Sequence, residues 1–360
     1  MRMMTEQHIE FCQNENDFRI AFSSLIRNAR KLFIVHGHQS YRSCGVKSLI
    51  DEVTSRLRMR FKEFEDFSEN PKKEDVDTGV EVLLQNSPDM IVAAGGGSVM
   101  DMAKLIRYYA CSKIPILAIP TTSGTGAEST QFAVCYIDGV KHSINDMSIL
   151  PNHVILFPPF TYQNSRYLTA CTGFDALAQA IESYWNINAT EESDEYALRA
   201  IHQIYPVLGK EMLSADDRSR LMTGANDAGK AINITRTTVP HALSYTLTSK
   251  YGYPHGHAVA LTFPYFLNYY LEGPESAYRG DDYEKYKAKM DLLRSILDVG
   301  SKPYSAMKEF ICRLGLGFDP KRDLDDLTVA HGLNPERAGN TPLAIDDLII
   351  LSAVKSIREY

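Results

Sequence analysis

Three short apolar runs, KLFIVHG, DMIVAAGGG and IPILAIPTT, and a mixed strand-like segment, FKEFEDF, punctuate the first 160 residues. Between them lie GVKSLIDEVTSRLRM, VDTGVEVLLQN and SVMDMAKLIRYYA, whose apolar residues recur at helical spacing. Strands that alternate with helices pair in parallel, because each helix returns the chain to the same end of the sheet. QFAVCYID with GVKHSI reads as a hairpin at the sheet edge, and HVILFPP closes the region. After Pro158 and Pro159 the texture changes to long amphipathic helices, among them GFDALAQAIESYW, SRLMTGANDAGKAIN and IDDLIILSAVKSI. The expectation is an α/β domain over residues 1–160 and an all-helical domain over residues 161–360.

A chain of 360 residues suits two domains better than one core. The formal net charge of -7 speaks against a nucleic-acid binder or an anionic-membrane binder. Six scattered cysteines with no CxxC pair fit reduced thiols in a cytoplasmic protein. The opening MRMMTEQHIEFCQNENDF has no apolar leader core, and no run approaches the roughly 20 apolar residues of a membrane helix.

Two glycine-rich loops follow predicted strands. In AAGGGSVMDMAK, Gly95, Gly96 and Gly97 remove every side chain where the next helix begins, so backbone N–H groups can meet a phosphate. Ser98 is the expected N-cap, with Asp101 at the capping-box position. In PTTSGTGAEST, Thr121, Thr122 and Thr125 offer hydroxyl donors beside small residues. Ligands of open parallel sheets bind at such strand ends, so the pair predicts a nucleotide site. A second candidate group is Asp175, Gln179, His241 and His255. Asp175 and Gln179 stand four residues apart and share a helix face, and two imidazoles with a carboxylate suit zinc or iron. Each loop taken alone also reads as an ordinary turn, and a lone histidine as a structural one.

With TGFDALAQAIE, GKAINITRTTVPHALSY and PHGHAVAL added in order, these motifs resemble the iron-containing (group III) alcohol dehydrogenases over most of the chain. The resemblance implies an N-terminal Rossmann-like dinucleotide-binding domain and a helical domain, as in dehydroquinate synthase, with metal and substrate in the cleft between. It implies Fe2+ or Zn2+ held at Asp175, Gln179, His241 and His255, with NADPH or NADH as cofactor. Lys141 matches a lysine near the nicotinamide, and Tyr245 and His257 are the expected proton carriers. A homodimer is expected.

The departures from the family are informative. Gln179 replaces a histidine with a weaker, harder oxygen ligand, which predicts reduced affinity or altered metal preference. Gly37 stands where NAD-preferring members often carry Asp, and His38, Ser40 and Arg42 follow, so NADPH is the expected cofactor. Lys230 and Arg236, with Thr237, lie where the family is small and apolar, which suggests a pocket for an anionic aldehyde. This segment is similar to the phosphonoacetaldehyde reductase branch, which reduces phosphonoacetaldehyde to 2-hydroxyethylphosphonate. The competing readings are reduction of sulfoacetaldehyde or a neutral aldehyde, a dehydroquinate-synthase-like lyase, and a nucleotide-binding protein without turnover.

Overall fold

The computed structural model describes residues 7–360. Part of the opening segment on which the leader expectation rests, residues 1–6, lies outside the described residues. The strands are β1 (His8–Phe11), β2 (Lys31–His36), β3 (Arg60–Phe64), β4 (Met90–Gly95), β5 (Ile116–Pro120), β6 (Phe132–Ile137), β7 (Val140–Asn145) and β8 (His153–Leu156). The first helices are α1 (Glu15–Ile26), α2 (Ser40–Ser43), α3 (Val46–Arg56), α4 (Lys73–Asn86) and α5 (Gly97–Tyr109).

Six strands form one parallel sheet in the order β1-β8-β5-β4-β2-β3. Side chains alternate between its faces. Phe33, Val35, Ile91, Ala93 and Ala118 meet Met102, Leu105 and Ile106 of α5 on one side. Leu32, Ile34, Val92, Leu117 and Ile119 meet Phe18 and Phe22 of α1 and Ile50 and Val53 of α3 on the other. Burial on both faces explains why β2, β4 and β5 read as continuous apolar runs.

Two features differ from expectation. The hairpin exists, turning at Asp138 and Gly139 with positive φ at both, but it forms its own two-stranded sheet. The main sheet continues instead through β8, which pairs with both β5 and β1. β1 itself is HIEF, a four-residue strand too short and mixed to stand out in sequence.

The remaining helices are α6 (Arg166–Trp185), α7 (Glu191–Leu208), α8 (Ala215–Thr235), α9 (Val239–Ser249), α10 (His255–Glu272), α11 (Tyr283–Ile296), α12 (Pro303–Arg313), α13 (Asp326–His331), α14 (Pro335–Ala338) and α15 (Asp347–Ser356). Contacts divide the chain into two units. The first takes residues up to Asn164 together with Ser214–Asn226, and the second takes Ser165–Leu213 with Asp227–Tyr360. Residues 214–226, expected in the helical domain, thus cluster with the α/β unit. Their anchors are Met222, which lies in the core of that unit, and Asn226, whose Nδ2 donates to Ser129 Oγ at 2.6 Å and Glu128 Oε1 at 3.2 Å.

In the helical unit α6 is buried from Thr169 to Trp185 apart from half-buried Thr172, so it is central rather than amphipathic. It packs against α7 and α10. At Gly256, in the first turn of α10, a Cβ would overlap the Cys171 carbonyl oxygen of α6 and stand 3.0 Å from Asp175 Cβ. Glycine there lets the two backbones touch. No helix among the described residues is long and apolar enough to cross a membrane.

Candidate functional site

In the α/β unit the chain leaves β2 in two directions. β3 lies on one side of β2, while β4, β5, β8 and β1 follow on the other. The crevice at such a switch point, outside the carboxyl ends of the strands, is where open sheets of this kind bind ligands. Gly37 follows β2, and Gly96 and Gly97 follow β4 at the N-terminus of α5. No side chain caps α5. A Cβ at Gly95 would lie 2.5 Å from Val99 Cγ2, so glycine there allows the helix to pack on its strand. Cβ atoms at Gly96 and Gly97 would lie 3.4 Å and 3.0 Å from Thr122 and Thr125, which brings the second loop beside the first. In that second loop the buried hydroxyls of Thr121 and Ser123 have no hydrogen-bond partner. Buried unsatisfied hydroxyls beside an uncapped helix N-terminus fit the polar groups of a nucleotide.

Other expectations for this loop need correction. Ser98 is not the N-cap, because α5 starts at Gly97 with Gly96 as the cap residue. Its Oγ instead accepts from Asn70 N at 3.4 Å. Asp101 closes no capping box: it accepts from Val134 N at 3.1 Å and so fastens β6 to α5. Burial pushes the Asp101 carboxyl up, opposed by Lys104 and Lys141. Lys141 is placed on β7, opposite Tyr136. After β2, His38 is exposed and Ser40 opens α2. Arg42 donates to Glu65 Oε1 at 2.9 Å and to His38 O at 2.6 Å. A Cβ at Gly37 would meet only ordinary contacts, at 3.6 Å and beyond, so no packing demand explains that glycine.

The helical unit brings the expected ligands together. One ligand atom each from Asp175, His241 and His255 lie within 4.8 Å of one another. His241 Nε2 is 3.1 Å and His255 Nε2 3.8 Å from Asp175 Oδ1. Gln179, one turn along α6, places Nε2 3.4 Å from Asp175 Oδ2. A buried carboxylate facing two imidazoles, with an amide alongside, fits a divalent transition metal.

Sequence reasoning missed Glu182. It lies seven residues after Asp175 on the same face of α6 and is fully buried. Its Oε1 pairs with His241 Nδ1, and its Oε2 accepts from Thr238 N at 2.6 Å and Thr238 Oγ1 at 2.8 Å. Trp185 Nε1 donates to the same hydroxyl at 3.0 Å. A carboxylate on the far nitrogen fixes the ring and directs Nε2 towards Asp175. Burial pulls the His241 pKa down, but Glu182 and Asp175 outweigh it and raise the group to about 9. A divalent cation held at this cluster would compete with that Nε2 proton.

The surrounding residues sort differently from expectation. Tyr245 stacks on His255, with ring centroids 6.2 Å apart. His257 has both nitrogens committed: Nε2 donates to Gly317 O and Nδ1 accepts from Tyr167 OH, each at 2.8 Å. Both bonds tie the ring to its own unit, to Tyr167 and to the Gly317 carbonyl. Lys230 lies 3.8 Å from Asp227 Oδ1 and over the Tyr196 ring. Arg236, in left-handed conformation at φ 64, pairs with Glu336. Its carbonyl accepts from Asn186 Nδ2 at 3.2 Å. Asn186 follows Asp175 by 11 residues of helix, about 16 Å at 1.5 Å per residue. The Arg236 backbone is therefore held at the C-terminal end of α6. Thr237 is buried, accepting from Arg337 Nη1 at 3.1 Å and Asn340 Nδ2 at 3.0 Å.

The sequence model of the family described as "Iron-containing alcohol dehydrogenase" matches residues 16–158. That of the "Fe-containing alcohol dehydrogenase family, C-terminal" matches residues 169–335. The chain is 28% identical to aldehyde-alcohol dehydrogenase 2 of Entamoeba histolytica over 79% of its own length, and spans only 36% of that protein. It is 33% identical to phosphonoacetaldehyde reductase of Streptomyces viridochromogenes over 50% of this chain and 53% of that protein. The crystal structure of an iron-containing alcohol dehydrogenase from Thermotoga maritima matches with TM-score 0.81 and 26% identity, covering 98% of each chain.

Proposed function

Because the chain belongs to the iron-containing alcohol dehydrogenase family, we propose that it is a nicotinamide-dependent oxidoreductase that reduces a small aldehyde to its alcohol. The observation that carries this reading is the cluster of Asp175, His241 and His255. Asp175, Gln179, His241 and His255 hold a divalent ion, which when bound supplies Lewis acidity at the substrate carbonyl oxygen. Glu182 keeps His241 in register and in one tautomer. The loops at Gly95–Gly97 and Thr121–Thr125 seat the dinucleotide, whose nicotinamide supplies the hydride. Tyr245, beside His255, supplies the proton to the product oxygen, since His257 has no nitrogen to spare.

For the substrate, the likeness to phosphonoacetaldehyde reductase supports phosphonoacetaldehyde, giving 2-hydroxyethylphosphonate. The pairing of Arg236 with Glu336 favours a second reading, an uncharged aldehyde, because the expected cation already has a carboxylate partner within the protein. The test measures NADH and NADPH oxidation with phosphonoacetaldehyde, sulfoacetaldehyde and propanal, with metal content determined on the same sample. A specificity constant highest for phosphonoacetaldehyde bears out the first reading, and one highest for propanal the second. No oxidation with any aldehyde, in metal-loaded protein, sinks the reductase reading.

A further inference from the structure

Glu65 directly follows β3, and β3 borders β2 at the switch point. Its Oε1 accepts from Arg42. Its Oε2 is buried without a hydrogen-bond partner, 3.5 Å from His38 Nδ1 and 3.6 Å from His36 Nδ1. A buried carboxylate oxygen with no donor is costly, and it marks an acceptor suited to a ligand hydroxyl. The glycine loop after β4 lies on the other side of β2. A dinucleotide with its phosphates on that loop extends its adenosine ribose along the neighbouring strand ends.

The geometry points to Glu65 as the residue that selects the nucleotide: its carboxylate takes the adenosine ribose hydroxyls, and the protein works with NAD(H) rather than NADP(H). This rests on the reading of the chain as a nicotinamide-dependent enzyme. Gly37 removes one carboxylate from the loop after β2, but the fold supplies another from β3. The NADPH expectation treated Arg42 as available for a 2′-phosphate. In the structure Arg42 is held on two sides, by Glu65 and by His38 O. A 2′-phosphate gains the guanidinium only by breaking the Glu65 bond, and then faces the carboxylate it has displaced. The other charges nearby do not tip the balance, because Glu63 and Lys47 pair with each other at 3.2 Å. The hydrogen bond from Arg42 holds Glu65 below the usual carboxylate range, so the charge is present at neutral pH.

Calorimetric titration of the full chain with NAD+ and with NADP+ tests this, using wild type, Glu65→Gln, Arg42→Leu and the double variant. Wild type should bind NAD+ at least about tenfold more tightly. Glu65→Gln should shift the ratio towards NADP+ by on the order of tenfold to a hundredfold, the worth of one charge-assisted contact. Arg42→Leu should change NADP+ binding little in wild type and weaken it in the Glu65→Gln background, where the guanidinium has been released. Glu65→Ser, which also removes the charge, is read in the same way if the glutamine variant does not fold. Tighter binding of NADP+ by wild type, or a ratio unmoved by removing the carboxylate, overturns the assignment while leaving the enzyme class intact. Failure of both nucleotides to bind wild type overturns the class and the assignment together.

Discussion

At Gln179 an amide replaces the imidazole that the family resemblance leads one to expect, and the rest of the ligand group is intact around it. Gln179→His should bind zinc or iron more tightly, read by competition with a chromogenic chelator; unchanged affinity means the side chain does not face the ion. Glu182→Gln should loosen the metal by about tenfold to a hundredfold, since it removes the charge behind His241. Arg236→Ala should lower stability by at most about 1 kcal/mol, as expected for a half-exposed ion pair. It should leave the preference between phosphonoacetaldehyde and propanal unchanged, and a selective loss with the phosphonate would restore Arg236 to the substrate pocket. Lys104 gives a pH signature. It is buried, donating to Thr130 Oγ1 at 3.2 Å and Phe132 O at 2.9 Å. Burial, opposed by Asp101 and Glu128, pulls its pKa down from 10.5 to about 8. Between those values the unfolded chain holds a proton that the folded chain has lost, so stability should rise with pH there, by on the order of 1–3 kcal/mol. Urea denaturation across that range checks it, and Lys104→Met should flatten the slope. Asp175 and Gln179 were legible because a helix places them together by spacing alone. Glu182 and Glu65 were not, because their partners arrive through helix packing and strand register.

Among the elements, α6 and α10 set the ligand geometry through one glycine. Gly256→Ala forces a methyl into the Cys171 carbonyl, so the helices must part. We expect a loss of roughly 1–3 kcal/mol, as for other overpacked contacts, together with weaker metal binding as His255 moves from Asp175. Thermal melting with and without zinc measures both; a variant with native Tm and native affinity would show that the contact relaxes without cost. The parallel sheet was legible because β2, β4 and β5 are apolar on both faces. β1 was not, since HIEF forms a strand only through its register with β8, from His8 opposite His153 to Phe11 opposite Leu156. The hairpin was legible from Asp138 and Gly139, but its place outside the main sheet was not. That place depends on Val134 N reaching Asp101, a residue the sequence assigned to a helix cap.

For the molecule as a whole, the change of texture after Pro159 marks where helices take over, but not how the chain is shared out. The composition break is a property of consecutive residues, whereas the return of Ser214–Asn226 to the α/β unit depends on contacts made 50 residues further on. A single helix, α8, supplies Ala215–Asn226 to one unit and Asp227–Thr235 to the other. The α/β half is therefore not a transplantable module as a contiguous piece. A fragment ending at Asn164 lacks Met222 from its apolar core and leaves Glu128 and Ser129 without the Asn226 amide. Such a fragment should be recovered with exposed apolar surface, detected by dye binding, and a synthetic peptide of residues 214–226 added in trans should suppress that signal. The same reasoning forbids a circular permutation that opens the chain within α8, and permits one in the loop between α7 and α8, ahead of Ser214.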